Sequence, residues 1–350
     1  MMAKKMLLGL GTDELKRLTA ELGEKKFRGK QVSDWIYRRG CRQVNDMTDL
    51  TAPFRKVLDE SWTVGRSSIR NLSMGRDGTF KLLLSPFYGD LVETVGMPYE
   101  DRFSCCVSTQ VGCPVACAFC ATGADGFKRN LAAGEIVDQV LTVGEAAVTK
   151  KILAAEGRVS HVVFMGMGEP LLNYDATLTA LRLINEELKI GMRNITLSTI
   201  GYVPGIYRLA AENMQFTLAV SLHAASDALR RKLVPGMSRY LLKDIIAACQ
   251  HYVNQTGRRV TFEYCLLRGI NDGTAEAAAL ASLLKGLNCH VNLIPFNEVQ
   301  HGNYRHPDAP AITAFRQVLE RSDITVTQRE QKGAGIQAAC GQLRRQSLSE

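Results

Sequence analysis

The chain has 350 residues, 46% hydrophobic and 22% charged, a composition typical of a globular protein and not of a disordered one. Its 43 Lys and Arg outnumber its 35 Asp and Glu, and the resulting net charge of +8 suits a polyanionic partner. No apolar run reaches the length of a membrane span and the apolar start is too short for a signal peptide, so we expect a cytoplasmic protein, with no membrane partner, whose ten cysteines stay reduced.

The N-terminal part of the chain, residues 1–60, is predicted to form a small helical module. In the segment GTDELKRLTAELG, leucines recur with helical spacing on one face. Thr12 or Asp13 would cap the start of this helix.

A basic stretch from Lys25 to Arg42 holds seven Lys or Arg against one acid, interleaved with aromatic residues. One interpretation is a solvated helix face whose aromatic rings turn to a core. The other is a surface whose cations bind RNA phosphates. The candidate phosphate-binding cations are Lys25, Lys26, Arg28 and Lys30. Both interpretations can hold for one module, so residues 1–60 are predicted to be an accessory, RNA-binding domain.

Strands dominate from Thr79 onward. TFKLLLS and DLVETVGM, separated by a turn at PFYG, make residues 61–98 a strand-rich connection. Further along, β-branched runs alternate with helical segments. The strand-like runs are HVVFMG, NITLSTI, FTLAVSLH, RVTFEYCLL and HVNLIPF. With the strand leading into the cysteine-rich loop they make six, which predicts an α/β fold, a partial (β/α)6 barrel over residues 99–330 with its site at the carboxyl ends of the strands.

Three cysteines in the stretch CCVSTQVGCPVACAFCATG have C-x3-C-x2-C spacing: Cys113, Cys117 and Cys120. Three such thiolates can hold three irons of a [4Fe–4S] cluster and leave the fourth iron open. Structural zinc is the main alternative, but it needs a fourth ligand, and no cysteine lies between Cys120 and Cys249. The spacing therefore favours the cluster over zinc or inert packing.

Polar residues follow several of the predicted strands, where a parallel sheet places its ligands. Gly168 and Glu169 lie in FMGMGEPLLN, and the others are Ser198, Ser221, His223 and Asn297. Each by itself would be an ordinary strand-end hydrogen bond. Together they predict a ligand pocket at the carboxyl-end edge of the sheet.

The C-terminal segment, residues 331–350, carries Cys340 within GAGIQAACGQL. Free cysteine is usually a small buried hydrophobe. Glycines at 333, 335 and 341 indicate instead a segment that moves and presents this thiol to a site.

The cysteine spacing at the start of a β/α repeat resembles the radical S-adenosylmethionine (SAM) superfamily. The further motifs GFKRNLAAGEIVDQV, FMGMGEPLLN, LSTIGYVP, VSLHA and AACGQL, in order over nearly the whole chain, resemble the RlmN/Cfr family of adenosine methyltransferases. This resemblance implies a radical SAM barrel, a [4Fe–4S] cluster, two SAM per turnover and a reductant protein. It also implies methylation of adenosine C2 in 23S rRNA and in tRNA next to the anticodon.

The resemblance also implies roles for individual residues. Cys340 would be methylated to S-methylcysteine and joined through that methyl group to the adenine, and Glu93 would accept the C2 proton. Cys106 would resolve the adduct and leave a Cys106–Cys340 disulfide for reduction, while Cys105, its neighbour on a strand, points to the other face. The SAM pocket would be formed by Gly168, Glu169, Ser198, Ser221, Leu222, His223 and Asn297.

Two alternatives and two departures from the family pattern bear on function. The alternatives are a Cfr-type methylation of adenosine C8 on the same scaffold and, from another class, an RNA-binding protein with a structural metal. The departures are Gln337, where the family commonly has Asp, and Glu298, where it has an Asn-Pro form. Both flank the predicted RNA entrance and bear on the choice of substrate.

Overall fold

The computed structural model describes residues 4–297 and 303–343. Glu298 and residues 344–350, which figure in the predictions above, lie outside this range. Among the described helices, none is both long enough and apolar enough to cross a membrane.

The described residues form α-helices that mostly follow the apolar periodicity of the sequence. The helices are α1 (Thr12–Glu21), α2 (Phe27–Ser33), α3 (Ala52–Ser61), α4 (Ala133–Thr149), α5 (Tyr174–Glu186), α6 (Val203–Ala211), α7 (Asp227–Leu233), α8 (Leu242–Thr256), α9 (Thr274–Leu284) and α10 (Ala309–Glu320).

The strands are short and rich in β-branched residues. They are β1 (Lys5–Met6), β2 (Trp62–Thr63), β3 (Ser68–Met74), β4 (Phe80–Ser85), β5 (Val92–Pro98), β6 (Phe103–Cys106), β7 (Gln110–Gly112), β8 (Phe127–Asn130), β9 (His161–Phe164), β10 (Ile195–Thr199), β11 (Thr217–Ser221), β12 (Val260–Leu266), β13 (Cys289–Pro295) and β14 (Thr325–Gln328).

One ten-stranded sheet organises the protein, in the order β14-β13-β12-β11-β10-β9-β6-β5-β4-β3. From β6 to β14 all neighbours are parallel, and β5, β4 and β3 extend the β6 edge antiparallel. The predicted α/β class and all six predicted parallel strands are confirmed. Because parallel strands end at the same edge, residues far apart in sequence meet there.

A seventh parallel strand, β14, was not predicted. Its sequence TVTQ buries only Val326, so it lacks the apolar run that marks an interior strand. It pairs with β13 in register Val291↔Val326 at the edge of the sheet. This pairing places Arg329, the residue after the strand, at the carboxyl-end edge of the sheet.

The N-terminal module is helical, as predicted, but its first helix is not capped as predicted. Gly11 is the N-cap of α1, and its N–H donates to Glu14 Oε2 at 2.8 Å. Thr12 is already helical, and its hydroxyl donates to Glu187 Oε2 at 2.8 Å. Thr12 therefore ties the module to α5, and the predicted cap is wrong.

Contacts with α4 also fix this module to the sheet. Arg66, just after the module, donates to the module's Gly40 carbonyl at 2.6 Å and pairs with buried Asp138 on α4. A Cβ on Gly134 would lie 2.0 Å from the Leu8 carbonyl oxygen, so only glycine allows this approach. The module is therefore packed directly on the first helix of the barrel.

Candidate active site

The three cysteines of the C-x3-C-x2-C stretch lie in the loop after β7 and line one cavity. Burial raises the pKa of Cys113 to about 12 and raises the pKa of Cys117 and of Cys120 as well. These thiols would therefore hold their protons at neutral pH without a metal. Bound iron would displace the protons, because thiolates are its ligands.

The arrangement of the triad fits a cluster. Among the described residues, no group of three or more His, Cys, Asp or Glu side chains is arranged to hold a single metal ion. A [4Fe–4S] cubane places each cysteine on a different iron, so its ligands need only face one common space, as these do. Cys113, Cys117 and Cys120 would hold the cluster here.

The cysteine loop rests on α7 and the turn that follows it. The Ala118 N–H donates to the Leu233 carbonyl at 2.9 Å, and the Gly236 N–H donates to the Val115 carbonyl at 3.0 Å. Beneath the loop, Val115 and Phe119 belong to a small hydrophobic cluster that also includes Leu233. The loop geometry is therefore set by a segment more than a hundred residues away in sequence.

Glu169 offers a buried carboxylate to the same cavity. Its oxygens accept the Leu171 N–H at 3.0 Å and the Ile200 N–H at 2.7 Å. Burial raises the pKa of Glu169 to about 7, against the lowering effect of these bonds and of Thr199. No ion pair within the described part of the chain gives Glu169 a cation, so it suits a cationic group of a ligand.

Gly168 is required by the close packing beside Glu169. Its φ is +101°, and a Cβ there would lie 2.6 Å from the Gln110 Cβ. Gln110 in turn accepts the Glu169 N–H at 2.8 Å. Any other residue at 168 would displace the carboxylate from the cavity.

His223 faces the cavity as a neutral ring. Its Nδ1 accepts the Cys265 N–H at 3.0 Å, which leaves the proton on Nε2. Burial, with Arg230 nearby, lowers the pKa of His223 to about 3. Its ring meets Phe119 edge-to-face at 4.8 Å, and its backbone is left-handed with φ +60°.

The structure does not bring every predicted pocket residue to this cavity. Ser198 and Ser221 line it with Gly168, Glu169 and His223. The Leu222 side chain is fully buried in the main core instead. Asn297 lines the neighbouring cavity, where its amide donates to the Cys340 carbonyl at 3.2 Å and accepts from Gln331 at 2.5 Å.

Cys340 lies on the wall between the triad cavity and this neighbouring cavity, which we call the mouth. The segment around it is docked at several points. The Gly341 carbonyl accepts the Ala121 N–H at 2.8 Å, and Thr122 donates to the Leu343 carbonyl at 2.6 Å. The C-terminal segment is thereby fastened to the loop that carries the triad.

Cys106 also lines the mouth, whereas Cys105 does not. Burial, and secondarily Cys340, raises the pKa of Cys106 to about 12, while Arg329 lowers it. Cys105 points to the opposite face of β6, where its sulfur lies 3.7 Å from the Thr94 hydroxyl. All ten cysteines are free thiols, so no disulfide joins Cys106 to Cys340 in the described residues.

Glu93 is separated from both cavities. It is buried on β5 and pairs with Lys81 at 2.8 Å. It lines a third cavity with Gly335, Ile336 and Gln337, and that cavity shares no lining residue with the mouth. The docked C-terminal segment stands beside Glu93.

Two charged residues that line the triad cavity, Arg329 and Glu263, were missed by sequence reasoning. Arg329 lines both the triad cavity and the mouth, and its Nη1 contacts Met165 Sδ at 3.3 Å. Cys340 raises the pKa of Arg329 most, burial opposes this, and Glu263 and Cys106 raise it further, so Arg329 is a fixed cation in the cavity that Cys106 and Cys340 line. Glu263 is held by Asn292 at 2.8 Å. Only Glu263, a carboxylate inside an apolar strand run, carried a detectable signal.

Arg230 is a further buried cation beneath the triad loop. It donates to the Ile200 carbonyl, and its Nε has no hydrogen-bond partner among the described residues. Burial lowers its pKa to about 10, and Cys117 opposes this effect. The backbone of Ile200 thus links Arg230 to Glu169, because its carbonyl accepts from Arg230 and its N–H donates to the Glu169 carboxylate.

Comparisons with known proteins agree with this geometry. The profile of the Radical SAM superfamily matches residues 107–281, and that of the "Ribosomal RNA large subunit methyltransferase N-terminal domain" matches residues 5–64. Two relatives share the name "Probable dual-specificity RNA methyltransferase RlmN". The one from Trichormus variabilis is 48% identical over 97% of this chain and 93% of its own. The one from Gloeobacter violaceus is 48% identical over 98% and 96%.

A solved structure has the same fold. The radical SAM methyltransferase from Sphaerobacter thermophilus superposes with a TM-score of 0.93 at 43% identity, covering 98% of this chain and all of that one. The predicted radical SAM barrel is thereby confirmed. Superfamily membership carries with it a [4Fe–4S] cluster and SAM. The chain therefore belongs to the RlmN family of radical SAM RNA methyltransferases.

Proposed function

We propose that this enzyme methylates C2 of adenosine in 23S rRNA and in tRNA next to the anticodon, in the cytoplasm. It would do so through S-methylcysteine on Cys340, using two SAM per turnover and a reductant protein. The observation that carries the proposal is the position of Cys340, which lines both the triad cavity and the mouth that contains Cys106.

This position suits a group that collects a methyl on one side and delivers it on the other. Adenine C2 is not a nucleophile, so direct attack on a sulfonium methyl would fail. When bound, the cluster and SAM supply the radical that activates the methyl group held by Cys340. SAM would be bound by Glu169 and His223, with Ser198 and Ser221 at adjoining strand ends.

The chain's own thiols and charges account for the later steps. Once a methylene bridge joins the Cys340 sulfur to adenine C2, the adduct returns its unpaired electron to the oxidised cluster, and Glu93 accepts the C2 proton. The Cys106 thiolate then attacks the Cys340 sulfur and the bond from sulfur to methylene breaks. The methylene carbon takes up a proton to become the methyl group, and methyladenosine leaves. The resulting disulfide takes two electrons from a reductant. Arg329 favours the Cys106 thiolate by its charge.

Glu93 reaches the adenine only if the C-terminal segment moves. Residues 335–337 lie beside Glu93 in its own cavity, and Lys81 donates to the Gln337 carbonyl at 3.2 Å. The proposal that Glu93 accepts the proton therefore requires residues 331–343 to move during turnover. Gln337, one of the departures from the family pattern, lies at this point.

The test of the proposal is a mass spectrum of the Cys340 peptide from protein produced with its cluster. We expect a methyl adduct on Cys340, and its absence from active protein would contradict the proposed intermediate. Methyladenosine from treated RNA should co-elute with the 2-methyl standard. Co-elution with 8-methyladenosine would favour the Cfr-type alternative, and a colourless zinc protein would favour the non-catalytic one.

The basic stretch of the helical module is assigned to RNA binding, with residues 1–60 as the accessory domain. Lys25, Lys26 and Lys30 are exposed, and none has an ion-pair partner in the part of the chain described here. Arg28 is instead engaged, donating to the Asp49 carbonyl at 2.9 Å. The aromatic residues of the stretch also differ in exposure: Tyr37 is buried, whereas Phe27 is 52% exposed.

Changing Lys25, Lys26 and Lys30 to alanine is expected to weaken RNA binding and to flatten its salt dependence. For each phosphate that is no longer neutralised, the slope of log affinity against log salt should fall in magnitude by about 0.7–0.9. SAM cleavage without RNA should persist. A matched control replaces the exposed cations Lys151, Lys285 and Arg321 by alanine; these follow α4, α9 and α10 and lie outside the basic stretch. Equal slopes for both variants would show that the basic stretch is only a solvated face.

A further inference from the structure

One side of the cysteine loop is covered by protein, and the other side is exposed to solvent. Its Ala121 and Thr122 end is covered by the docked C-terminal segment. On the other side Pro114, Ala116 and Ala118 are exposed. We call these three residues, with the exposed Pro235 and Gly236 of the turn after α7, the loop face.

The loop face lies immediately over the ligands of the cluster. Pro114 follows Cys113, and Ala116 and Ala118 flank Cys117. Consecutive Cα atoms are about 3.8 Å apart, so the Cα atom of each of these three exposed residues lies about that far from the Cα atom of a ligand cysteine. Small side chains keep the surface close, and Gly236 is needed because a Cβ there would lie 2.5 Å from the Val115 carbonyl oxygen.

Exposed cations border the loop face. Arg231 and Lys232 lie in the last turn of α7, next to Leu233, whose carbonyl holds the loop through Ala118. Arg239 follows the same turn, with its guanidinium 4.8 Å from the Tyr240 ring. The ion pairs of the described residues include none of these three cations, which we call the basic rim.

Two carboxylates lie on the helices beside the rim. Asp227, at the start of α7, accepts the Leu242 N–H at 2.8 Å, and Asp244 accepts the Leu241 N–H at 3.3 Å, and both keep their charge. Because the three rim cations outnumber these two carboxylates, the rim presents net positive charge to solvent around a patch of small, mostly apolar residues. Such a surface attracts an acidic protein and lets it approach the cluster closely.

We propose that the loop face and its basic rim are the docking site of an acidic one-electron carrier protein that reduces the cluster. This deepens the proposed function, on which it rests, by assigning a surface to the reductant. One electron passes from the carrier to the cluster, so the carrier is oxidised and the cluster reduced. The site is separate from the mouth, whose lining includes no residue of the loop face or rim, so carrier and RNA can bind together.

The test reverses the rim charges in Arg231→Glu/Lys232→Glu/Arg239→Glu and follows reduction of the reconstituted cluster by anaerobic stopped flow. The probes are an acidic flavodoxin in its hydroquinone state and, separately, dithionite. The control carries Lys151→Glu/Lys285→Glu/Arg321→Glu, which changes the net charge equally on residues that follow α4, α9 and α10. Iron content and circular dichroism verify both variants.

We expect reduction by flavodoxin to slow about tenfold or more in the rim variant relative to the control at low salt, with the difference shrinking as salt rises. Dithionite should reduce both variants at equal rates, and both should bind RNA equally. A glutamine version of the rim variant, milder for folding, should give an intermediate flavodoxin rate.

Equal flavodoxin rates in the rim and control variants would overturn the docking site. Reduced RNA affinity in the rim variant with unchanged flavodoxin rates would identify the rim as an RNA surface, and so would also overturn it. Failure of the unmodified protein to bind an iron–sulfur cluster would instead remove the proposed function itself. The two failures are therefore distinguishable.

Discussion

Cys106→Ala is expected to trap the enzyme covalently on its RNA. The variant should bind the cluster, methylate Cys340 and bond to the adenine, because Cys106 is neither a ligand nor the methyl carrier. It lacks the thiol that breaks the bond between the Cys340 sulfur and the methylene carbon. Protein–RNA complex should therefore accumulate, survive denaturation and yield, after nuclease digestion, an adenosine-bearing peptide that contains Cys340.

Cys105→Ala is the matched control, because it removes the neighbouring buried thiol from the opposite face of β6. It should turn over without trapping RNA. Trapping by Cys105→Ala with normal turnover of Cys106→Ala would mean that the roles are displaced by one residue. If neither variant trapped RNA, the resolving role would be wrong.

Cys117→Ala is expected to abolish cluster binding, and with it SAM cleavage and RNA methylation. Two thiolates cannot replace three, and the remaining ligands Cys113 and Cys120 keep raised pKa values through burial, so they would return to thiols. The same loss is expected for alanine at either of those two positions. Iron and sulfide content, the visible absorbance and release of 5′-deoxyadenosine measure the effect.

Cys249→Ala serves as the control, since Cys249 is a fully buried cysteine on α8, away from the triad cavity. It should retain a full complement of iron. A Cys117→Ala protein that kept both a complete cluster and activity would contradict the assignment of the triad. RNA affinity should change in neither variant, because the basic stretch lies on the separate helical module.

The sequence alone determined the features that are local in the chain. The C-x3-C-x2-C spacing identified the triad, because three ligands of one cluster must lie within a short loop. Apolar, β-branched runs identified the parallel strands, and the helical segments between them identified the helices. The alternation of side chains along a strand also predicted that only one of Cys105 and Cys106 faces the site, and the resemblance to the family selected Cys106.

Tertiary structure alone decided which distant groups meet. β14 is too short and polar to be recognised from its sequence, yet its pairing with β13 brings Arg329 to the cavity that Cys106 and Cys340 line. Sequence reasoning also could not detect that Asn297 binds the Cys340 backbone, or that Glu93 lies in a cavity of its own beside the docked C-terminal segment. Such contacts depend on the sheet order and on loop packing. These are long-range, so no local pattern of residues encodes them.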